Sequence, residues 1–186
     1  MHQVCEYPAG ILTGPEIERK VSEGDIVIYP FDPKYAGPNS YDVRLGDTLR
    51  VYPKGAVLDY KKKTPTEVIK IDPFTGYKLE PGRLYLGHTF EHIECNGLVP
   101  WIDGRSSVGR LGVTIHVTAG RGDDGFRGQL TLEMCVLQSS EWCGGVILYP
   151  HETIGQLSFF TAVGQRRKYQ GRYQDSIGPI ESFSWK

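Results

Sequence analysis

The chain has 186 residues, 39% hydrophobic and 23% charged, with 21 basic and 22 acidic side chains and a formal net charge of -1. That is about one domain at ~150 residues each, long enough to bury a core without a disulfide or metal staple. The balanced charge argues against a bulk footprint for nucleic acid or anionic membrane, and no run of about 18 apolar residues offers a transmembrane helix.

A local basic pocket for one phosphorylated small molecule remains compatible with that charge. The start, Met1 to Glu6, lacks a basic and then apolar stretch, so no signal peptide is expected. The cysteines at 5, 95, 135 and 143 form no C-x-x-C pair and read as free thiols in a reducing cytoplasm. The 23 glycines and 12 prolines are scattered, which suggests many turns between short strands and an all-β fold.

In chain order, one helix comes first. Thr13 can cap it, Pro15 suits its first turn, Glu16 and Glu18 favour its positive end, and Gly24 ends it. Ile11, Ile17 and Val21 are expected on its buried side. Strands follow at Ile26–Tyr29, Tyr41–Leu45, Thr48–Tyr52, Val68–Ile71, Leu84–His88, Phe90–Cys95, Val113–Val117, Gln129–Leu137, Val146–Tyr149 and Ile154–Phe160. Turn residues separate them, as in a sandwich or barrel of roughly ten strands. The run Tyr60-Lys61-Lys62-Lys63 reads as a solvated loop, since it lacks aromatic interleaving. The barrel domain is assigned to residues 1–164. Residues 165–186, rich in Arg, Tyr, Gln, Gly and Ser, form a tail that is either disordered or ordered by docking on a neighbour or ligand.

Three stretches carry chemistry. Gly104 to Gly112 packs Arg105, Ser106, Ser107 and Arg110 among glycines, with neither a Walker loop nor a dinucleotide fingerprint. Arginine forks and small hydroxyls suit phosphate oxygens, though a surface turn with two solvated arginines fits equally well. In Gln129 to Val136, alternation puts Leu130, Leu132, Met134 and Val136 on one face. Gln129, Thr131, Glu133 and Cys135 share the other. Glu133 is then either partly desolvated and tuned for proton transfer, or simply solvent-facing. Between the two, His116 reads as a hydrogen-bonded core histidine rather than a catalytic one.

Asp103-Gly104-Arg105-Ser106-Ser107 through Arg110-Leu111-Gly112, His116-Val117-Thr118-Ala119-Gly120, Gly125-Phe126 and Thr131-Leu132-Glu133 together resemble the dCTP deaminase branch of the dUTPase superfamily. The resemblance extends upstream to Asn39 to Gly46 and downstream to Ile154 to Phe159, Arg172-Tyr173-Gln174 and Gly178-Pro179, in order along nearly the whole chain.

It implies a distorted jelly-roll-like barrel with one N-terminal helix, assembled as a homotrimer with active sites at subunit interfaces. It also implies hydrolytic deamination of dCTP to dUTP and ammonia in the cytoplasm, with dUTP or dTTP as product or inhibitor. A bifunctional branch goes on to dUMP and pyrophosphate, and Ala119-Gly120 resembles that branch slightly better. Magnesium would come with the triphosphate, without zinc. A zinc deaminase needs H-x-E together with P-C-x-x-C, and no C-x-x-C exists here.

By the resemblance Glu133 activates water and Ser106 helps hold it, while Ala119 offers backbone contact near the amino group. Arg105, Ser107 and Arg110, with Val108 and Gly109 between them, would form the phosphate-binding segment. Asp123 would meet the sugar hydroxyl, and Thr131, Leu132 and Gln156 would line the base and sugar pocket. The tail would close over the triphosphate with Tyr169, Arg172 and Ser176. Departures are Gly122-Asp123-Asp124 for the common Ile-Asp-Pro, Val136 for Asn, a longer hairpin at 139–145, Arg172 for Lys and Ser176 for Gln. They leave open a modified cytosine or a nucleotide with fewer phosphates. A pure dUTPase and a non-catalytic nucleotide-binding regulator are the competing expectations.

Overall fold

In the computed structural model, which describes residues 9–186, the chain opens with helix α1 (Gly14–Glu23). Pro15 sits in its first turn and Gly24 ends it at φ 82°, its N–H reaching the Lys20 and Val21 carbonyls. Thr13 occupies the cap position without a side-chain cap bond. Ile17 is fully buried, but Ile11 is 43% exposed, and Leu12 packs in its stead. Ile11 instead bridges Phe160 in an antiparallel pair.

Thirteen strands follow: β1 (Ile26–Tyr29), β2 (Tyr41–Arg44), β3 (Thr48–Val51), β4 (Glu67–Lys70), β5 (Tyr77–Leu79), β6 (Tyr85–His88), β7 (His92–Cys95), β8 (Leu98–Gly104), β9 (Val113–Thr114), β10 (Arg127–Gly128), β11 (Thr131–Val136), β12 (Val146–Leu148) and β13 (Thr153–Thr161). A one-turn helix α2 (Ser106–Gly109) links β8 to β9. The strands form sheets ordered β4-β3-β6-β11-β9, β2-β13-β8, β1-β7-β10 and β12-β5, every strand-to-strand ladder being antiparallel. This is the jelly-roll-like, mostly β architecture expected.

The core fills between the sheets. Val43, Leu49, Tyr85, Ile93, Leu132, Met134, Leu157 and Phe159 are at most 1% exposed. Two-residue alternation does most of the work: Tyr41 and Val43 point inward while Asp42 and Arg44 point out along β2. Glu91 is fully buried and paired with Arg44. Burial pushes the His88 pKa below its ordinary value of 6.5. Its Nδ1 lies 2.9 Å from the Thr89 carbonyl, and its Nε2 has no hydrogen-bond partner among the described residues. Cys95 is buried, with its thiol pushed up to about 12 by desolvation first. Cys95, Cys135 and Cys143 are free thiols; Cys5 and the start of the chain lie outside the described residues.

The tail at 165–186 lies on its own barrel, a docking partner that the sequence reading did not weigh. Ser176 bridges Gly128 in parallel, Gln129 N–H donates to its carbonyl at 2.8 Å, and Asp175 N–H donates to Arg127 O. The basic run at 60–63 is exposed, as expected of a solvated loop.

Candidate active site

β11 runs between β6 and β9 and presents Thr131, Glu133 and Cys135 on its half-buried face. Residues two apart on one face stand ~7 Å apart. Glu133 is held at both ends of its residue. Its backbone N–H donates to Ile115 O at 2.8 Å, and its Oε2 accepts the Val117 N–H at 2.9 Å. The carboxylate is thus oriented by a backbone donor, with its other oxygen left for water or substrate. Thr131 Oγ1 accepts the Ile180 N–H of the tail at 3.1 Å. Leu132 points the opposite way and is fully buried, so it can meet a ligand only through its backbone.

The loop after β9 spans from Glu133 to β8. Strand pairing stops at Thr114 rather than Val117, because Ile115 and Val117 turn their backbone toward Glu133. At the far end, Ile102 N–H donates to Gly120 O and Gly122 N–H to Pro100 O, each at 2.8 Å. A Cβ at Gly120 would stand 2.7 Å from the Ile102 carbonyl, so only glycine permits that approach. Ala119 beside it is exposed. His116 is half-buried rather than in the core, with Nε2 3.2 Å from Asp103 Oδ1. Asp123 is exposed, and its carbonyl accepts the Phe126 N–H at 3.1 Å in the turn that Gly125 completes.

β8 delivers the second group. Arg105 donates to Thr153 Oγ1 and pairs with Asp42 Oδ2 at 3.2 Å. Gln156 Nε2 donates to Asp42 Oδ1 at 3.3 Å and Ser40 Oγ at 3.4 Å. Val108 is buried and anchors α2, while Ser106, Ser107, Gly109 and Arg110 face solvent. The third group is the tail. Tyr169 N–H donates to Asp124 O at 2.7 Å and its ring lies 6.0 Å from that of Phe126. Arg172 donates to Phe183 O, and buried Ser176 spends its hydroxyl on Tyr173 O.

One chain therefore brings Glu133 together with Val117 and, along its strand, Thr131 with the tail. It separately brings Arg105 together with Gln156. Among the described residues no hydrogen bond or ion pair joins Glu133 to Arg105, Ser106 or Arg110.

Sequence reasoning missed Asp42, the carboxylate that organises Arg105 and Gln156. Its signal was available: Asp42 alternates with buried Tyr41 and Val43, which puts it on the outer face next to Gln156. It also missed that His92-Ile93-Glu94 has H-x-E spacing. On β7 these two side chains bond to each other at 3.0 Å, and no cluster of three or more metal-ligating side chains exists among the described residues.

Comparison with known proteins agrees with this architecture. The family model described as dCTP deaminase-like matches residues 11–162. A protein of Hathewaya histolytica named "dCTP deaminase, dUMP-forming" is 44% identical over 95% of this chain and 98% of its own length. One of Leptospira biflexa with the same name is 44% identical over 95% of this chain and 97% of its own. The crystal structure of 2'-deoxycytidine 5'-triphosphate deaminase from Agrobacterium tumefaciens superposes with a TM-score of 0.64 at 19% identity. That match covers 84% of this chain but 49% of the other, and supports the fold.

Proposed function

Because the chain belongs to the dCTP deaminase-like family, we propose that it is a dUMP-forming dCTP deaminase. It would replace the 4-amino group of dCTP with oxygen, releasing ammonia, and cleave the resulting dUTP to dUMP and pyrophosphate. The observation that carries the reading is Glu133, half-buried at the centre of a strand face and oriented by the Val117 N–H. A carboxylate so placed can take a proton from water as the oxygen attacks ring carbon 4 and pass it to ring N3; it can then take the second proton from the new hydroxyl on carbon 4 and deliver it to the departing amino group. The bond from carbon 4 to nitrogen breaks as the carbonyl forms, so water and dCTP balance dUTP and ammonia.

Sequence analysis put deamination to dUTP first. The names of the two relatives favour the longer reaction, as does Ala119-Gly120. In that second step water attacks the α-phosphorus and pyrophosphate leaves. Arg105 and Arg110 would carry the triphosphate charge, forked donors being suited to phosphate oxygens. Magnesium would be held by the phosphate oxygens themselves, since the described residues hold no acidic cluster to cage it.

Arg105 is spent on Asp42 and Thr153 and shares no hydrogen bond or ion pair with Glu133 among the described residues; the site would be completed between copies in a trimer, as the family resemblance implies. Cyclic symmetry then gives one site per chain. The test is incubation with dCTP, dUTP or dCMP plus magnesium, with products resolved by chromatography. The expected result is dUMP, pyrophosphate and ammonia from dCTP, and no reaction with dCMP. Accumulation of dUTP as the end product refutes the second step, and unchanged dCTP refutes the whole reading.

A further inference from the structure

Asp124 sits one residue past Asp123, and its side chain is only 8% exposed. A carboxylate that dry needs donors, and it has three bonds. Gly97 N–H donates to Oδ1 at 2.7 Å; Arg166 donates from Nε to Oδ2 at 2.7 Å and from Nη2 to Oδ1 at 3.2 Å. The Asp124 carbonyl also accepts the Tyr169 N–H at 2.7 Å. So most of what Asp124 holds belongs to the tail, not to the barrel.

The floor beneath the tail is made of glycine. A Cβ at Gly97 would stand 2.9 Å from Arg166 Nη1, one at Gly125 3.0 Å from Lys168 Cβ, and one at Gly128 2.8 Å from Ser176 N. Beyond that trough, Gly178 N–H donates to Gln129 Oε1 at 2.7 Å and Ile180 N–H to Thr131 Oγ1 at 3.1 Å. The tail thus advances from Asp124 along β10 and onto β11, reaching the residue two before Glu133. Where its first residues are pinned sets how far its later ones reach.

We infer that Asp124 is a positioning residue: by gripping Arg166 it sets the register of the C-terminal tail along the strand face that carries Glu133. Where the family pattern has a proline, which only stiffens the turn, this chain has an ionic grip on its own tail. Only the kinetic arm of the test rests on the proposed deaminase reading.

Asp124→Asn keeps the side-chain shape and an acceptor for Gly97 but removes the charge that Arg166 grips. Since Arg166 is itself 32% exposed, the low end of charged hydrogen-bond losses applies, roughly tenfold. Hydrogen exchange of the full-length protein is expected to show amides at 166–176 exchanging about tenfold faster, with β6 and β11 unchanged. KM for dCTP rises about tenfold while kcat stays within about threefold. Arg166→Gln reproduces both effects, Arg166→Lys restores part, and the double variant is no worse than either single one by more than about twofold, because both remove one contact. Unchanged tail exchange in Asp124→Asn overturns the inference. So does loss of protection throughout the barrel, which would make Asp124 a fold residue. If wild-type protein leaves dCTP untouched, the deaminase reading fails while the exchange arm still decides the grip.

Discussion

Glu91 is the sharpest place to perturb the scaffold. It is fully buried, its Oε1 accepts Arg44 Nε at 2.6 Å, and its Oε2 accepts the Arg44 backbone N–H at 2.9 Å. The Arg44 side chain is 14% exposed and lies between two rings, 4.8 Å from the Tyr35 centroid and 4.6 Å from that of Phe90. Glu91→Ala strands a desolvated guanidinium, a loss of about 3–5 kcal/mol. For a chain of this size each kcal/mol moves Tm by roughly 2–4 °C, so the expected fall is roughly 6–20 °C.

Replacing both partners, as Arg44→Met with Glu91→Leu, removes the buried charge. It still leaves the Arg44 N–H without its acceptor, a residual loss of about 1–3 kcal/mol. The double variant is therefore expected between the single variant and wild type. Thermal unfolding by circular dichroism at one fixed protein concentration reads this, because any assembly makes Tm concentration-dependent. A single variant within about 3 °C of wild type would refute the reasoning, as would a double variant no better than the single.

Three further outcomes follow from other parts of the structure. His88 is buried with a lowered pKa, so the unfolded chain binds its proton first as pH falls below 6.5; stability is expected to fall with pH from there toward the folded pKa, and His88→Gln to flatten that slope in denaturant titrations at pH 5 to 7. A slope unchanged by the substitution would show that His88 does not cause it. A zinc-selective chelator is expected to leave dCTP turnover intact, whereas removing magnesium weakens dCTP binding; activity lost to the first and restored by zinc alone contradicts the carboxylate mechanism. The intact protein is expected to sediment at about three times its 20.8 kDa chain mass, and a fully active monomer would show that one barrel builds its site alone.

Much of the barrel was readable because buried strands alternate. Ile26–Tyr29 and the Leu132, Met134 and Val136 face of β11 follow directly from period two. β8 was hidden despite its seven residues. Pro100 argues against a strand, yet it is tolerated on this sheet edge, where β13 pairs on one side and the 120–122 loop bonds on the other. β10 and α2, with two and four residues, are too short to show any period.

In the site, the half-buried face of Glu133 was legible from alternation, but its bond to Val117 depends on where the loop after β9 turns. The grip of Asp124 on Arg166 joins residues 42 positions apart. No local pattern reveals such a pair. The sequence left the tail either disordered or ordered by docking for the same reason: its order comes from backbone bonds to Gly128, Gln129 and Thr131, not from apolar periodicity of its own.

The central claim is that Glu133 is the base for deamination of dCTP. Its most direct test is release of ammonia from dCTP by Glu133→Gln, measured beside dCTP binding to the same protein. Glutamine keeps the size and can still accept the Val117 N–H, but it cannot take the proton from water. The account predicts ammonia release reduced by at least ~10²-fold with dCTP affinity retained. Turnover at the wild-type rate in that variant would contradict it.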